Sequence, residues 1–238
     1  MHKTVLAEKR NNNSVFIRKI FHSESLILNS NYPTVNPFDQ KARTWDSNPL
    51  YLERSLAIEK IIRQRIPLHK DQIALDYGAG TGILSFLLKD SVKAITLMDN
   101  STEMLKVTDD KIHTAGATHL KTLFFDLEKN DYTINSFDLI FMQMVLHHVQ
   151  EIEKIIGKFY NMLNKGGSIA IADLYAEDGT FHDPGFTGHT GFDPDDLIRV
   201  LKKTGFKKCT LDPCFIIKKE TKTAGLKDFP VFLITASR

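Results

Sequence analysis

The chain has 238 residues, enough for one sizeable α/β domain with small additions. Its content, 42% hydrophobic and 25% charged, is that of an ordinary globular protein, and no apolar stretch approaches the ~20 residues a membrane helix needs. Lys and Arg number 31 against 29 Asp and Glu, a net charge of +2 that gives no ground for binding nucleic acid or a membrane surface.

Residues 1–37 are mixed polar text, basic early (Lys3, Lys9, Arg10, Arg18 and Lys19 against Glu8) and carrying three consecutive asparagines. They lack the apolar core of a secretory signal. An organellar transit segment would share the basic bias, but the favoured reading is an N-terminal extension without its own core. Residues 38–238 then form a single domain. From Pro49 to Ile66 the apolar residues Leu52, Leu56, Ile58, Ile61 and Ile62 fall at helical spacing, and Pro67 closes that helix. Ile73 to Tyr77 reads as a short buried strand, followed by Gly78, Gly80 and Gly82 at alternate positions and a helix from Gly82 to Lys89. Ala94 to Asp99 is a second strand, and Ser101 opens a helix that ends near Gly116. Leu120 to Phe125 and Phe137 to Gln143 are further strands. Glu151 to Leu163 is a helix closed by Asn164-Lys165-Gly166-Gly167, and Ser168 to Asp173 is strand five. A long loop rich in Gly, His and Phe occupies 177–192. Asp193-Pro194 opens the last helix, which runs to Gly205, and the runs Lys207 to Lys218 and Pro230 to Ala236 form an antiparallel pair. Regular β-α alternation with nearly all-apolar strands predicts an α/β fold, a parallel sheet covered on both faces. The two cysteines, Cys209 and Cys214, suit reduced thiols in a cytoplasmic protein.

The glycine turn carries the chemistry. A strand, a Gly-rich turn and a helix N-terminus let backbone approach a ligand closely. The dinucleotide fingerprint wants its third glycine where this chain has Ile83, and a phosphate-binding loop wants Lys-Ser/Thr where it has Ile83-Leu84. Asp76, two residues before the first glycine, repels a pyrophosphate and suits a ligand with a cationic end.

Asp76-x-Gly78-x-Gly80-x-Gly82 resembles motif I of the class I S-adenosylmethionine (SAM)-dependent methyltransferases. Asp99-Asn100-Ser101-x-x-Met104-Leu105 is similar to the second motif of that family, and Phe137-Asp138 through Leu146-His147-His148-Val149 to a further one. The group it resembles is that of the small-molecule enzymes like those of ubiquinone and menaquinone biosynthesis, over residue 38 to the C-terminus. The resemblance implies a Rossmann-like seven-stranded sheet, mostly parallel with an antiparallel last strand, with helices on both faces. It implies SAM as cofactor and S-adenosylhomocysteine as product, held by Asp76, Gly78, Ala79 and Gly80. Asp99 would accept the ribose hydroxyls, although an aspartate there can also cap a helix. Asn100 and Met104 would lie against adenine. Asp126 and the amide of Leu127 would bond the adenine edge, although Asp126 can equally form a turn. Gln143 would face the methionine part. Trp45, in Ala42-x-x-Trp45-Asp46, is either a cofactor cover, as in relatives, or a packing anchor.

His147 is the best general-base candidate, because phosphoethanolamine enzymes have a histidine at that position; the competing reading is a hydrogen-bonded histidine at a helix start. His148, and His182 and His189 in the long loop, would line the acceptor pocket. His182, Asp183 and His189 fit no standard zinc spacing, so no metal is expected. The strand-four end has neither the Pro-Pro-aromatic motif of base amino-methylation nor a Pro-Cys nucleophile, so a nucleic-acid acceptor is not expected. The expected activity is methyl transfer to a small molecule. Protein methylation, a catalytically silent SAM-binding role and a nicotinamide-dependent oxidoreductase are the alternatives.

Overall fold

The computed structural model describes residues 36–133, 137–222 and 225–238; the extension expected at 1–37 lies outside the described residues but for its last two. Asn36–Arg238 is one compact unit. It begins with a 3-10 segment, Asp39–Ser47, that periodicity alone did not announce.

Helix α1 (Pro49–Arg65) starts where the Asn48 side chain accepts the Leu50 N–H and Pro49 presets the first turn. It stops because Pro67 forces Ile66 out of the helical region, at φ −117° and ψ 120°. After it come β1 (Ile73–Tyr77), α2 (Ile83–Leu88), β2 (Ala94–Asp99), α3 (Thr102–Ala115), β3 (Leu120–Phe124), β4 (Phe137–Gln143), α4 (Ile152–Met162), β5 (Leu163–Leu174), α5 (Pro194–Thr204), β6 (Lys207–Thr221) and β7 (Gly225–Ser237). One seven-stranded sheet runs in the order β3-β2-β1-β4-β5-β7-β6. All pairings are parallel except those of β7, which is antiparallel to β5 and β6, as expected from the resemblance.

Alternation along the strands builds two cores. Leu139, Phe141, Ala170 and Ala172 face α1 and α2 through Ile58, Ile62, Leu84 and Leu88. Ile140, Met142, Ile169 and Ile171 face α4 and α5 through Ile155, Phe159, Leu197 and Leu201. Burying both faces is why the strands read as continuous apolar runs. Among the described residues no helix is long and apolar enough to cross a membrane.

Two boundaries differ from the sequence reading. The Asn164–Gly167 turn, expected to close α4, is a bulged beginning of β5: Leu163 pairs with Phe137, and the register shifts before Leu139 pairs with Ser168. Asp138 holds that bulge, accepting the Ile73 N–H at 2.9 Å and the Asn164 amide at 2.8 Å. The β6–β7 pair also runs further than expected, to Thr221 and Gly225, because its polar end, which reads as loop, is paired as a two-stranded ribbon.

Candidate active site

The strand order reverses between β1 and β4, and in such sheets ligands lie at the carboxyl ends of the strands near that point. Gly78, Gly80 and Gly82 all have positive φ there, at 64°, 55° and 75°. The turn is closely fitted. A Cβ on Gly78 would meet the Val145 side chain at 2.3 Å, whereas one on Gly80 would meet nothing nearer than the Met104 sulfur at 4.0 Å. One face of the turn is therefore packed and the other is open. The Gly80 N–H donates to Asp99 Oδ2 at 2.8 Å, and the Ser101 N–H donates to Asp99 Oδ1 at 2.8 Å. Ser101, not Asp99, caps α3, its Oγ accepting the Met104 N–H. Asp99 is thus not used up as a cap. Burial pushes its carboxyl above the ordinary range, against the N–H groups that stabilise the charge.

Asp76 is 2% exposed and, among the described residues, accepts the Ser85 hydroxyl alone, at 2.7 Å. Burial pushes its carboxyl up to about 8 against that bond, with help from the charge of Asp99. Asp126, just past β3, accepts the Glu128 and Lys129 N–H groups and pairs with Lys129 at 2.9 Å. This is the turn-forming role. Leu127 is buried, its carbonyl accepting from Lys158.

The 3-10 segment is fastened across these strand ends. Asp39 accepts the Ser101 hydroxyl at 2.6 Å, and Asp46 accepts Thr81 Oγ1 at 2.6 Å and pairs with Lys111. Asn36 donates to the carbonyl and side-chain oxygens of Asn100. Trp45 packs on Tyr51 at 4.6 Å and edge-on to Phe38, which in turn contacts the His148 ring at 5.2 Å. Trp45 is thus a packing anchor between the 3-10 segment and α1.

On the β4 side, Gln143 accepts the Ser55 hydroxyl of α1 at 3.0 Å. His147 follows in a short 3-10 turn, 1% exposed, with Nδ1 2.6 Å from Asp173 Oδ1. Asp173, at the end of β5 and fully buried, also accepts the His147 and Leu174 N–H groups. The His147 ring lies 4.2 Å from that of His148 and 5.0 Å from that of His182. One nitrogen from each of these three histidines falls within 4.8 Å of the others. Burial and the neighbouring imidazoles lower His148 to about 3, and burial with His147 and Lys219 lowers His182 to about 4. Both rings are neutral at pH 7. The His182 Nε2 is buried without a hydrogen-bond partner.

The long loop wraps this cluster. A Cβ on Gly188 would meet the His147 carbonyl at 2.3 Å, and the His189 N–H donates to that carbonyl at 2.7 Å. The His189 ring turns to Phe192 and Asp183 pairs with Lys222, so neither joins the histidine cluster. The grouping considered from sequence, His182 with Asp183 and His189, is replaced by His147, His148 and His182.

Sequence reading missed two residues. Asp173 ends a strand as Asp99 does, and the same rule would have found it. Arg54 shares the buried stripe of α1 with Ile58 and Ile62, and an arginine on an apolar stripe is itself a signal. Arg54 is 6% exposed, lies over the Tyr51 ring at 5.2 Å, and its Nε is buried without a partner. Burial lowers it to about 10, against the nearby charge of Asp173. Cys214, its thiol pushed up to about 12 by burial, donates to the Val231 carbonyl and stays protonated.

The family model described as a methyltransferase domain matches residues 75–171. An uncharacterized methyltransferase of Schizosaccharomyces pombe is 26% identical over 144 residues, 54% of this chain and 51% of that protein. A phosphatidylethanolamine N-methyltransferase of Cereibacter sphaeroides is 30% identical over 105 residues, 44% of this chain and 51% of that protein. The chain thus spans about half the length of these curated relatives. In fold it is similar to the Haemonchus contortus phosphoethanolamine N-methyltransferase 2 solved with S-adenosyl-L-methionine, with a TM-score of 0.63 at 16% identity, over 86% of this chain and 60% of that one.

Proposed function

From the premise that this chain belongs, by its fold and by the methyltransferase domain at residues 75–171, with the class I SAM-dependent methyltransferases, we propose that it transfers a methyl group from SAM to a small-molecule acceptor carrying an anionic group. The observation that carries the reading is the Asp99 carboxylate held on the Gly80 N–H beside the open face of the glycine turn.

The residues fit the cofactor. The open face at Gly80 admits a ligand where any side chain would intrude. Asp99 keeps lone pairs for two ribose hydroxyls, and the buried Asp76, with no cationic partner, suits an ammonium. Asn100, Met104, Asp126 and Leu127 are assigned to the adenine end, Gln143 to the methionine end, with Ala79 contributing backbone. When bound, SAM supplies an electrophilic methyl group on a cationic sulfur.

The protein's own contribution is position and proton management. Asp173 receives the Nδ1–H of His147, which fixes the ring and leaves Nε2 as a lone pair for the acceptor's proton. His148, His182 and the loop at 177–192 shape the acceptor side. An anion beside Arg54 would supply the partner that its buried Nε lacks among the described residues. The curated relatives include enzymes named for phosphatidylethanolamine and phosphoethanolamine, whose names denote phosphate-bearing acceptors. Its two free thiols favour a cytoplasmic setting. Incubation with methyl-labelled SAM and pools of small anionic metabolites tests the reading; label must move to a small molecule and be lost in His147→Ala. SAM binding without transfer to any pool, or label found only on protein, would reject it.

A further inference from the structure

We propose that His147, His148 and His182 form a three-histidine zinc site, with Asp173 as its supporting carboxylate. Three imidazoles are a donor set suited to borderline divalent ions, zinc foremost. Their donor nitrogens already lie within 4.8 Å of one another. Tetrahedral zinc with Zn–N bonds of ~2.0–2.1 Å places nitrogens about 3.3 Å apart. Rotation of the half-buried His148 side chain toward the other two rings can supply the contraction needed.

Two further observations point to a ligand. The buried His182 Nε2 has no hydrogen-bond partner among the described residues, an arrangement that is costly unless something binds it. That ring is held in place, stacked on Phe186 at 3.7 Å. Asp173 also bonds Nδ1 of His147 and so presents Nε2 as the donor. A carboxylate behind a histidine is the usual outer support of a metal-ligating imidazole. Lys41 and Lys219 lie near enough to act electrostatically on the cluster and oppose a cation, while Asp173 favours it.

Three protein ligands leave the fourth position open, as in catalytic zinc sites. Resting on the function proposed above, the acceptor's reacting oxygen or sulfur would take that position. A zinc ion held by the three histidines would ease loss of the proton from an acceptor hydroxyl or thiol at that position, making it a better nucleophile toward the methyl. The bond formed is methyl to acceptor, the bond broken is methyl to sulfur, and the proton leaves to solvent. The His147 lone pair is then a ligand; in the metal-free protein it takes the proton itself.

The test measures metal directly, not turnover. Purified full chain is stripped with chelator, titrated with zinc against a chromophoric competitor, and titrated separately with cobalt for visible absorption. One equivalent of zinc and intense tetrahedral cobalt bands are expected. His148→Ala and His182→Gln should weaken zinc by 100-fold or more, and Asp173→Asn by about 10–100-fold. His113→Ala, on the exposed surface of α3, should bind normally. Circular dichroism checks that each variant folds. Absence of stoichiometric zinc in the wild type, or full affinity in folded His148→Ala and His182→Gln, would overturn the site and leave the methyl-transfer reading standing.

Discussion

Asp99 and Arg54 are both buried charged groups, yet they make opposite predictions. Asp99 is saturated with local donors on one side and available on the other. Hydrogen bonds to a charged group contribute about 1.5–3 kcal/mol each, so Asp99→Ala should weaken S-adenosylhomocysteine roughly 100-fold by calorimetry. Normal affinity in that variant would sink the ribose assignment. Arg54 has an unpartnered Nε and lies among side chains of the core. Replacing a side chain that carries an unpaired buried donor by an apolar one of similar length removes a desolvation cost of about 1–3 kcal/mol. Arg54→Met should therefore raise the denaturant midpoint while KM for the anionic acceptor rises. A protein that is destabilised, with KM unchanged, would mean that Arg54 is a structural cation. Asp99 was legible in the sequence because it closes an apolar strand about twenty residues past the glycines. Arg54 was legible only as an arginine on the apolar stripe of α1; that its Nε is buried without a partner among the described residues depends on what covers that face.

At the scale of elements, strands that are apolar on both sides were legible to the residue: β1, β2 and β4 begin and end where their hydrophobic runs put them. What failed to read were places where polar text is held by one side chain or one close approach. The start of β5 is such a place. Asp138 satisfies a β1 amide and the Asn164 side chain at once, so Asp138→Ala leaves two part-buried donors unpaired and should cost about 1–3 kcal/mol in chemical denaturation. The loop after β5 is another. Its glycines announced a turn-rich segment, but not that Gly191, at φ 75°, lies so close to β5 that a Cβ would sit 2.1 Å from the Tyr175 carbonyl. Backbone cannot yield there as a flexible side chain could. Gly191→Ala should cost about 2–4 kcal/mol, read as a lowered thermal midpoint. It should also perturb the histidine cluster, because the same loop carries His182. If Gly191→Ala keeps wild-type stability, the loop does not pack against β5 as described. The cluster itself was illegible for the same reason: His147 and His182 are thirty-five positions apart, and only the loop's path joins them.

For the molecule as a whole, the buried acids at the ligand end set a pH dependence opposite to that of ordinary paired carboxylates. Asp76 keeps its proton in the folded state up to about 8, whereas unfolding restores the ordinary value of 3.8. Between those values the unfolded chain binds fewer protons than the folded one, so stability falls as pH rises. The penalty begins above the unfolded value, grows through neutral pH and is complete above the folded one, reaching on the order of 5 kcal/mol. Asp99, raised in the same direction, adds to the trend. In Asp76→Asn that slope should flatten across pH 5 to 8, measured as unfolding free energy in urea. A cationic ligand at the glycine turn relieves the same penalty by favouring the ionised carboxylate. The stabilisation given by saturating SAM should therefore be larger at pH 8 than at pH 5.5 in the wild type, and nearly independent of pH in Asp76→Asn. A ligand effect equal at both pH values in the wild type would mean that no cation comes near Asp76, and the orientation proposed for SAM would have to be abandoned.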